Sequence, residues 1–363
     1  MVDKKTPNSP EQVEWRGTMP KRKWSPLKVL MLPVYALQII TGEKRFIENP
    51  LLGSEKLNRN GLHIWRVKTA AKIVESRRRR LQHLIPQHER AFFAENGYIE
   101  RRNFLTPEMF AQLRSEVEAL RAPAREMTQG KAVTRRTPLT PEVLKSYPAI
   151  RALVASNAWS NPLRYVGGFK AEPVISVQTI FGTETEEGKG KDPQTDLHMD
   201  TFHSTVKAWF FLYDVPEDEG PFTYVAGSHK LTKRRLAWHK RKSILASIRG
   251  DNGSFRIPEN QLHLLRLPEP TKFAVPANTL VVGDTFGFHA RGKSVRPSVR
   301  VEIYASQRPN PFLTVVGLDS AILPFVRGRK EVIGWFIEDC LARLGLRRQI
   351  WKDIGTAGPL DPR

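Results

Sequence analysis

The sequence predicts a mainly β domain whose strands close into a barrel, with helices as buttresses. Two observations carry that expectation. The first is a series of short segments rich in apolar and β-branched residues: Tyr98–Asn103, 173–182, Val206–Asp214, Phe222–Val225, Thr279–His289 and Arg300–Ala305. Such segments, bounded by turn residues, read as strands. The second is the residues that these segments carry at their ends. His198 and Asp200 stand two apart, His289 closes an apolar run, and Arg300 opens an alternating one.

The elements follow in chain order. With 363 residues, 40% of them hydrophobic and 9% aromatic, the chain can bury a substantial core in one large or two small domains. The formal net charge is +21, and residues 1–90 hold 19 Lys/Arg against 8 Asp/Glu. A basic front end of this kind suits an anionic partner, either nucleic acid or an anionic membrane surface. Cys340 is the single cysteine, so no intrachain disulfide can form, which fits a reducing compartment.

Residues 1–20 are polar, contain Pro7, Pro10 and Pro20, and read as a disordered arm. Residues 29–40 form an apolar run interrupted by Pro33 and Gln38. The run is shorter than the roughly 20 residues of a spanning helix, and no small-x-small cleavage site follows it. Two readings remain. Residues 21–45 could lie in a membrane interface, with Trp24 and Tyr35 at headgroup level. Lys21, Arg22, Lys23, Lys28, Lys44 and Arg45 would then meet anionic lipid. Alternatively, the run packs on the barrel as a buried helix.

Residues 62–85 have helical periodicity, with Arg77–Arg80 near the end, read as a solvated surface or a phosphate contact. A helix from His88 to Gly97 precedes the first strand. Thr106 and Pro107 are the N-cap and first residue of the next helix, whose apolar stripe is Phe110, Leu113, Val117 and Leu120. Residues 121–140 read as a basic loop, followed by a helix around Pro141–Ala158. The polar stretch 183–192 reads as a flap beside the His198–Asp200 pair. A strongly basic insertion at 228–270 contains a helix through Ile248. The segment 332–344 is an amphipathic helix that could pack on the barrel, support a dimer, or join residues 21–45 on a membrane.

On extended backbone, residues i and i+2 point to one side. His198 and Asp200 can therefore face one metal ion, with His289 as a third ligand from a strand remote in sequence. Two histidines and one carboxylate on one face of iron leave the opposite positions open, as in non-haem iron oxygenases. A hairpin partner of the His289 strand would return Arg300 beside the metal, where its planar fork suits a carboxylate.

The surrounding motifs, Asn96-Gly97-Tyr98, His198-Met199-Asp200-Thr201-Phe202-His203, Ala208-Trp209, Glu219-Gly220-Pro221, Gly227-Ser228-His229 and Gly283-Asp284 through His289 and Arg300, stand in a familiar order. From about Glu89 to Pro311 the chain resembles the phytanoyl-CoA dioxygenase family. The resemblance implies a double-stranded β-helix (jelly-roll, cupin-like) barrel. It also implies iron(II) bound by His198, Asp200 and His289, and 2-oxoglutarate and O2 as co-substrates. Arg300 would hold the distal carboxylate of 2-oxoglutarate, Trp209 would flank it, and Gln178 would line the same pocket. His203 and His229 match positions that are not iron ligands. Where the family often has a small hydroxyl residue, this chain has Arg291. Asp200 argues for a hydroxylase, since halide-transferring relatives lack this carboxylate.

The domain reading is a basic extension at 1–88, the jelly-roll at 89–315, and a C-terminal helix and tail at 316–363. The expected reaction is hydroxylation of an unactivated carbon of a small or lipid-linked, anionic substrate. The expected location is the cytoplasm, peripheral to the inner membrane face. Nucleic-acid modification is the alternative, supported by charge alone, because Arg77–Arg80 lacks the interleaved aromatics that stack on bases. A non-catalytic jelly-roll binding protein is the other.

Overall fold

Antiparallel strand pairing organises the chain. A computed structural model describes residues 26–184, 192–251, 253–317 and 319–362. The helices are α1 (Pro26–Leu30), α2 (Leu32–Gln38), α3 (Glu55–Arg59), α4 (Leu62–Leu81), α5 (Gln87–Asn96), α6 (Pro107–Ala119), α7 (Pro141–Ser146), α8 (Pro148–Ala155), α9 (Asn157–Gly167), α10 (Lys233–Arg249) and α11 (Lys330–Arg343). The strands are β1 (Tyr98–Arg101), β2 (Ala122–Gln129), β3 (Ala132–Pro138), β4 (Val174–Gly182), β5 (Val206–Phe211), β6 (Phe222–Tyr224), β7 (Thr271–Lys272), β8 (Thr279–Asp284), β9 (His289–Arg291), β10 (Ser298–Gln307) and β11 (Lys352–Ala357). One sheet runs β1-β8-β5-β10-β4-β3-β2-β11 and a smaller one runs β7-β6-β9. This is the jelly-roll with helical buttresses that the sequence predicts.

Alternation decides which side chains reach the site. On β10, Val301, Ile303 and Ala305 face the helices, packed with Phe210 of β5, Leu280 of β8 and Trp159 of α9. Arg300, Tyr304 and Ser306 face the barrel interior. On β5, Ala208 and Phe210 face the helices, while Lys207 and Trp209 face inward. The interior is closed by aromatic packing between the sheets, where Trp209 and Tyr304 meet Phe222, Tyr224 and Phe273. Thr106 caps α6 by accepting from the Met109 N–H, with Pro107 at the first position.

Several expectations change. Residues 121–140 are not a basic loop. They form the β2–β3 hairpin, turned at Gly130 with φ +60°. Their charges are matched instead of solvated: Arg135 pairs with Glu126 at 2.7 Å and Arg125 with Asp339 of α11. The helix around Pro141–Ala158 is split into α7 and α8 at Tyr147, because the residue before a proline leaves helical backbone. Strand β8 runs through Gly283 and Asp284, so the turn before His289 falls after Asp284. Strand β11 was not foreseen; it pairs with β2 at the sheet edge. Of the flap stretch 183–192, residues 185–191 lie outside the described residues.

The arginine run on α4 is neither a solvated surface nor a phosphate contact as a whole. Arg77 and Arg78 are buried. Arg77 donates to the carbonyls of Asn310 and Leu313. Arg78 donates to Asp284 at 2.8 Å and to the Val166 carbonyl. Asp284 also accepts from Ser204 Oγ (2.7 Å) and from its neighbour Phe286 N–H (3.0 Å), while its carbonyl accepts from Tyr224. One carboxylate thus ties α4 to the turn before β9.

Residues 29–40 are not an ordinary buried helix either. Helix α2 has no buried residue, and Leu30 and Leu37 are 76% and 63% exposed. Asn49 tethers α2 by donating to Tyr35 O and Gln38 Oε1. Lys21, Arg22, Lys23 and Trp24 lie outside the described residues. Helix α11 buries Trp335 against Trp351 and leaves Phe336 and Ile337 exposed. No helix among the described residues is long and apolar enough to cross a membrane.

Replacing Asp284 would leave the buried Arg78 guanidinium with only the exposed Glu75 carboxylate as counter-charge, its buried partner gone. Such a loss costs about 3–5 kcal/mol. Denaturant unfolding of Asp284→Ala should show a destabilisation of that order. A change under about 1 kcal/mol would mean the pair carries no structural weight.

Candidate metal centre

Two backbone hydrogen bonds build the centre. His198 N–H donates to His289 O at 3.0 Å, and His289 N–H donates to His198 O at 2.9 Å. The segment before β5 is thereby paired with β9 across the small sheet. Asp200 N–H donates to Thr285 O at 3.0 Å, which sets the next same-side residue in place.

The side chains converge. Asp200 Oδ1 lies 3.6 Å from His289 Nε2 and 3.9 Å from His198 Nε2. One ligand atom from each of the three falls within 4.8 Å of the others. His198 Nδ1 donates to Asp196 O at 2.7 Å and His289 Nδ1 to Gly287 O at 3.0 Å. Those bonds fix the tautomers, so both Nε2 lone pairs face Asp200.

The electrostatics agree with that assignment. Burial, the largest cause, pushes His198 down to about 3, so its ring is neutral at neutral pH. Burial would raise the Asp200 carboxyl, but Lys207 first, then His289 and Arg308, hold it well below the usual range. The set therefore offers two imidazoles and one carboxylate. His289 Nε2 is buried with no hydrogen-bond partner among the described residues. An unpaired buried acceptor is costly unless something binds it. Bonds of about 2.0–2.2 Å from such atoms to a first-row dication fit this spacing. The residues present fit a metal.

The three residues open onto a cavity of about 380 Å³ that also holds Trp209, Gln178, Arg291 and Arg300. Trp209 stacks on Phe222 with ring centroids 4.0 Å apart, which makes one wall apolar. Arg300 reaches the cavity by a different route from the expected hairpin with the His289 strand. Strand β10 lies between β5 and β4 in the large sheet, whereas β9 pairs with β6 in the small one. Arg300 therefore meets His289 across the barrel.

Its guanidinium is aimed by two fixed acceptors, Glu302 Oε2 at 3.1 Å and the Gly220 carbonyl. Glu302 is fully buried and also accepts from Gln178, whose own oxygen accepts from Arg136. Burial is the main cause that raises the Glu302 carboxyl, against the pull of Arg300. Arg291, two residues after His289, donates to Asp192 at 2.7 Å and to Thr134. His203 is buried away from the three, with Nδ1 donating to Ser204 O.

Sequence reasoning missed Glu302, Lys207 and Arg308. Period-two spacing from Arg300 and Trp209 would have marked all three as facing inward. Lys44, expected to meet anionic lipid, instead turns inward, and its ammonium donates to the Asp200 carbonyl and to Ser254 Oγ. No local pattern announces a contact across 156 residues of chain.

Residues 93–252 match the family described as Phytanoyl-CoA dioxygenase (PhyH). The match includes His198 and Asp200 and ends before His289 and Arg300, which the fold brings to them. No curated protein matches the chain. Among solved structures it is similar to SnoN, a non-haem alpha-ketoglutarate-dependent epimerase from nogalamycin biosynthesis. That likeness has 18% identity over 61% of this chain and 81% of that one, with a TM-score of 0.41. It is also similar to HygX from Streptomyces hygroscopicus, solved with nickel and 2-oxoglutarate bound, at 18% identity over 62% and 87%, TM-score 0.38. A third is AviO1 from Streptomyces viridochromogenes, at 13% identity over 61% and 94%, TM-score 0.38. The family match covers the part of the chain that carries His198 and Asp200, and the fold supplies His289 as the third residue of the set. The protein is accordingly an iron- and 2-oxoglutarate-dependent oxygenase.

Proposed function

We propose that the protein hydroxylates an unactivated carbon of a small or lipid-linked anionic substrate. His198, Asp200 and His289 would hold iron(II), and Arg300 would hold the distal carboxylate of 2-oxoglutarate. The observation that carries the reading is the convergence of two imidazoles and one carboxylate, buried beside a cavity with a fixed arginine. Bound together with O2, iron(II) and 2-oxoglutarate supply the oxidising power. The co-substrate ends as succinate and carbon dioxide, and one oxygen atom ends on the substrate carbon.

The chain's own residues have simpler tasks. The Asp196 and Gly287 carbonyls keep the two imidazoles turned toward the metal position. Glu302 and Gly220 hold the Arg300 fork open toward the cavity. Trp209 and Phe222 form an apolar wall that keeps water off the co-substrate. Gln178 braces Glu302 and so acts on Arg300 from behind. No side chain has to act as acid or base, because the metal and co-substrate carry the hard chemistry.

Iron-dependent succinate formation from 2-oxoglutarate under O2 tests this reading. Losing a residue that supports a metal ligand typically costs about 10–100-fold, so losing a ligand itself should cost more. Asp200→Ala should fall to background. Wild-type turnover in that variant would rule out the proposed triad.

A second reading concerns location, and the exposed apolar residues of α1 and α2 favour it. Residues 21–45 would rest on an anionic membrane with Leu30 and Leu37 dipping into the headgroup boundary. Because Lys44 touches the centre, deleting the whole segment would disturb both functions. The double variant Leu30→Asp, Leu37→Asp should instead lose most of its partition to phosphatidylserine vesicles. Equal partition of variant and wild type would remove the membrane role.

A further inference from the structure

The charges in the cavity are matched at one end and unmatched at the other. At the 2-oxoglutarate end, Arg300 faces Glu302 and Arg291 faces Asp192. On the opposite side of the centre, three cations from three separate parts of the chain close on one residue, Asp200, two at its carboxylate and one at its backbone carbonyl. Lys207 of β5 places Nζ 2.8 Å from Asp200 Oδ2. Arg308, just beyond β10, places Nη2 3.7 Å from the same oxygen, too long for a hydrogen bond. Lys44 reaches in from the segment before α3 and donates to the Asp200 carbonyl. The next carboxylate near Lys44 is Glu43, and it is held by Arg45 at 2.7 Å, a guanidinium it shares with Glu48.

Three cations against one carboxylate leave a formal excess of two positive charges. Iron(II) and dianionic 2-oxoglutarate cancel one another, so loading the centre leaves that excess unchanged. Cations beside a metal ligand also work against the metal, by Coulomb repulsion in a medium less polar than water. Their placement has to serve something else. Lys207 and Arg308 both line the cavity, and Arg308 is about half exposed, so its fork can turn to an incoming group.

We propose that the substrate carries a phosphate monoester, gripped by Lys207 and Arg308 beside Asp200, with Lys44 adding its charge from behind. The proposal rests on the reading of His198, Asp200 and His289 as the iron site. A phosphate monoester carries about −1.5 to −2 at pH 7, which matches the excess, and its oxygens accept a guanidinium fork. The grip is one ligand away from the metal position. The oxidised carbon is therefore within a few bonds of the one that bears the phosphate.

Calorimetric titration of the Mn(II)-loaded protein, first with 2-oxoglutarate and then with phenyl phosphate, tests this. Wild type should bind phenyl phosphate and not the neutral benzyl alcohol. Lys207→Met and Arg308→Gln should each lower phenyl phosphate affinity about tenfold more than they lower 2-oxoglutarate affinity. Arg308 is exposed enough for its variant to fold whatever Lys207→Met does. If both ligands weaken equally, the cations serve the co-substrate and the proposal is overturned. It is also overturned if phenyl phosphate binds variants and wild type alike, or does not bind wild type that takes up Mn(II) and 2-oxoglutarate. Failure of wild type to bind Mn(II) or 2-oxoglutarate would instead overturn the iron-site reading, and this proposal with it.

Discussion

Everything at the centre depends on the mutual backbone pairing of His198 and His289. Two N–H to O=C bonds hold residues 91 positions apart at one point of the small sheet. Because the pairing is antiparallel, both imidazoles leave the backbone on the same side. A slip of β9 by one residue would turn the His289 ring to the face opposite His198 and Asp200. The turn before His289 therefore has to be rigid, and Asp284 makes it so. That carboxylate accepts from α4, from the segment after Asp200 and from the turn itself. Helix α4, far upstream in sequence, is thus a structural member of the barrel.

Charge placement divides the cavity into two ends with different tasks. Around Arg300 each cation has a carboxylate partner, so the proposed anchor is aimed before any ligand arrives. Preorganisation of this kind lowers the cost of binding a carboxylate in a fixed pose. Around Asp200 the cations outnumber the carboxylates, which is the basis of the phosphate proposal. Arg291 belongs to the first end. It replaces the small hydroxyl residue of the family pattern, yet its guanidinium is drawn to Asp192 and Thr134 and leaves room beside Arg300.

Much of this was legible in the sequence, for definite reasons. The strands that carry the centre are apolar on one face and read by period two, and that same period put His198 and Asp200 on one side. The cap at Thr106 and Pro107 is a local signal and fell where expected. What could not be read depends on distant partners. The β2–β3 hairpin carries arginines that look solvated until Glu126 and Asp339 are placed beside them. Arg77 and Arg78 look exposed until Asp284 and the 310–313 carbonyls arrive. Arg300 was assigned to the cavity, but by the wrong connection, because sequence spacing cannot tell a hairpin from a crossing between sheets. The exposed face of α2 was ambiguous because a short apolar run is the same string whether buried or bare.

The central claim is that His198, Asp200, His289 and Arg300 together hold iron(II) and 2-oxoglutarate. Anaerobic titration of the purified protein with iron(II), with and without 2-oxoglutarate, addresses it most directly. The account predicts a weak visible charge-transfer band that needs both ligands and is lost in Arg300→Ala. Iron that binds without producing the band in the presence of 2-oxoglutarate, or a band that survives Arg300→Ala unchanged, would contradict it.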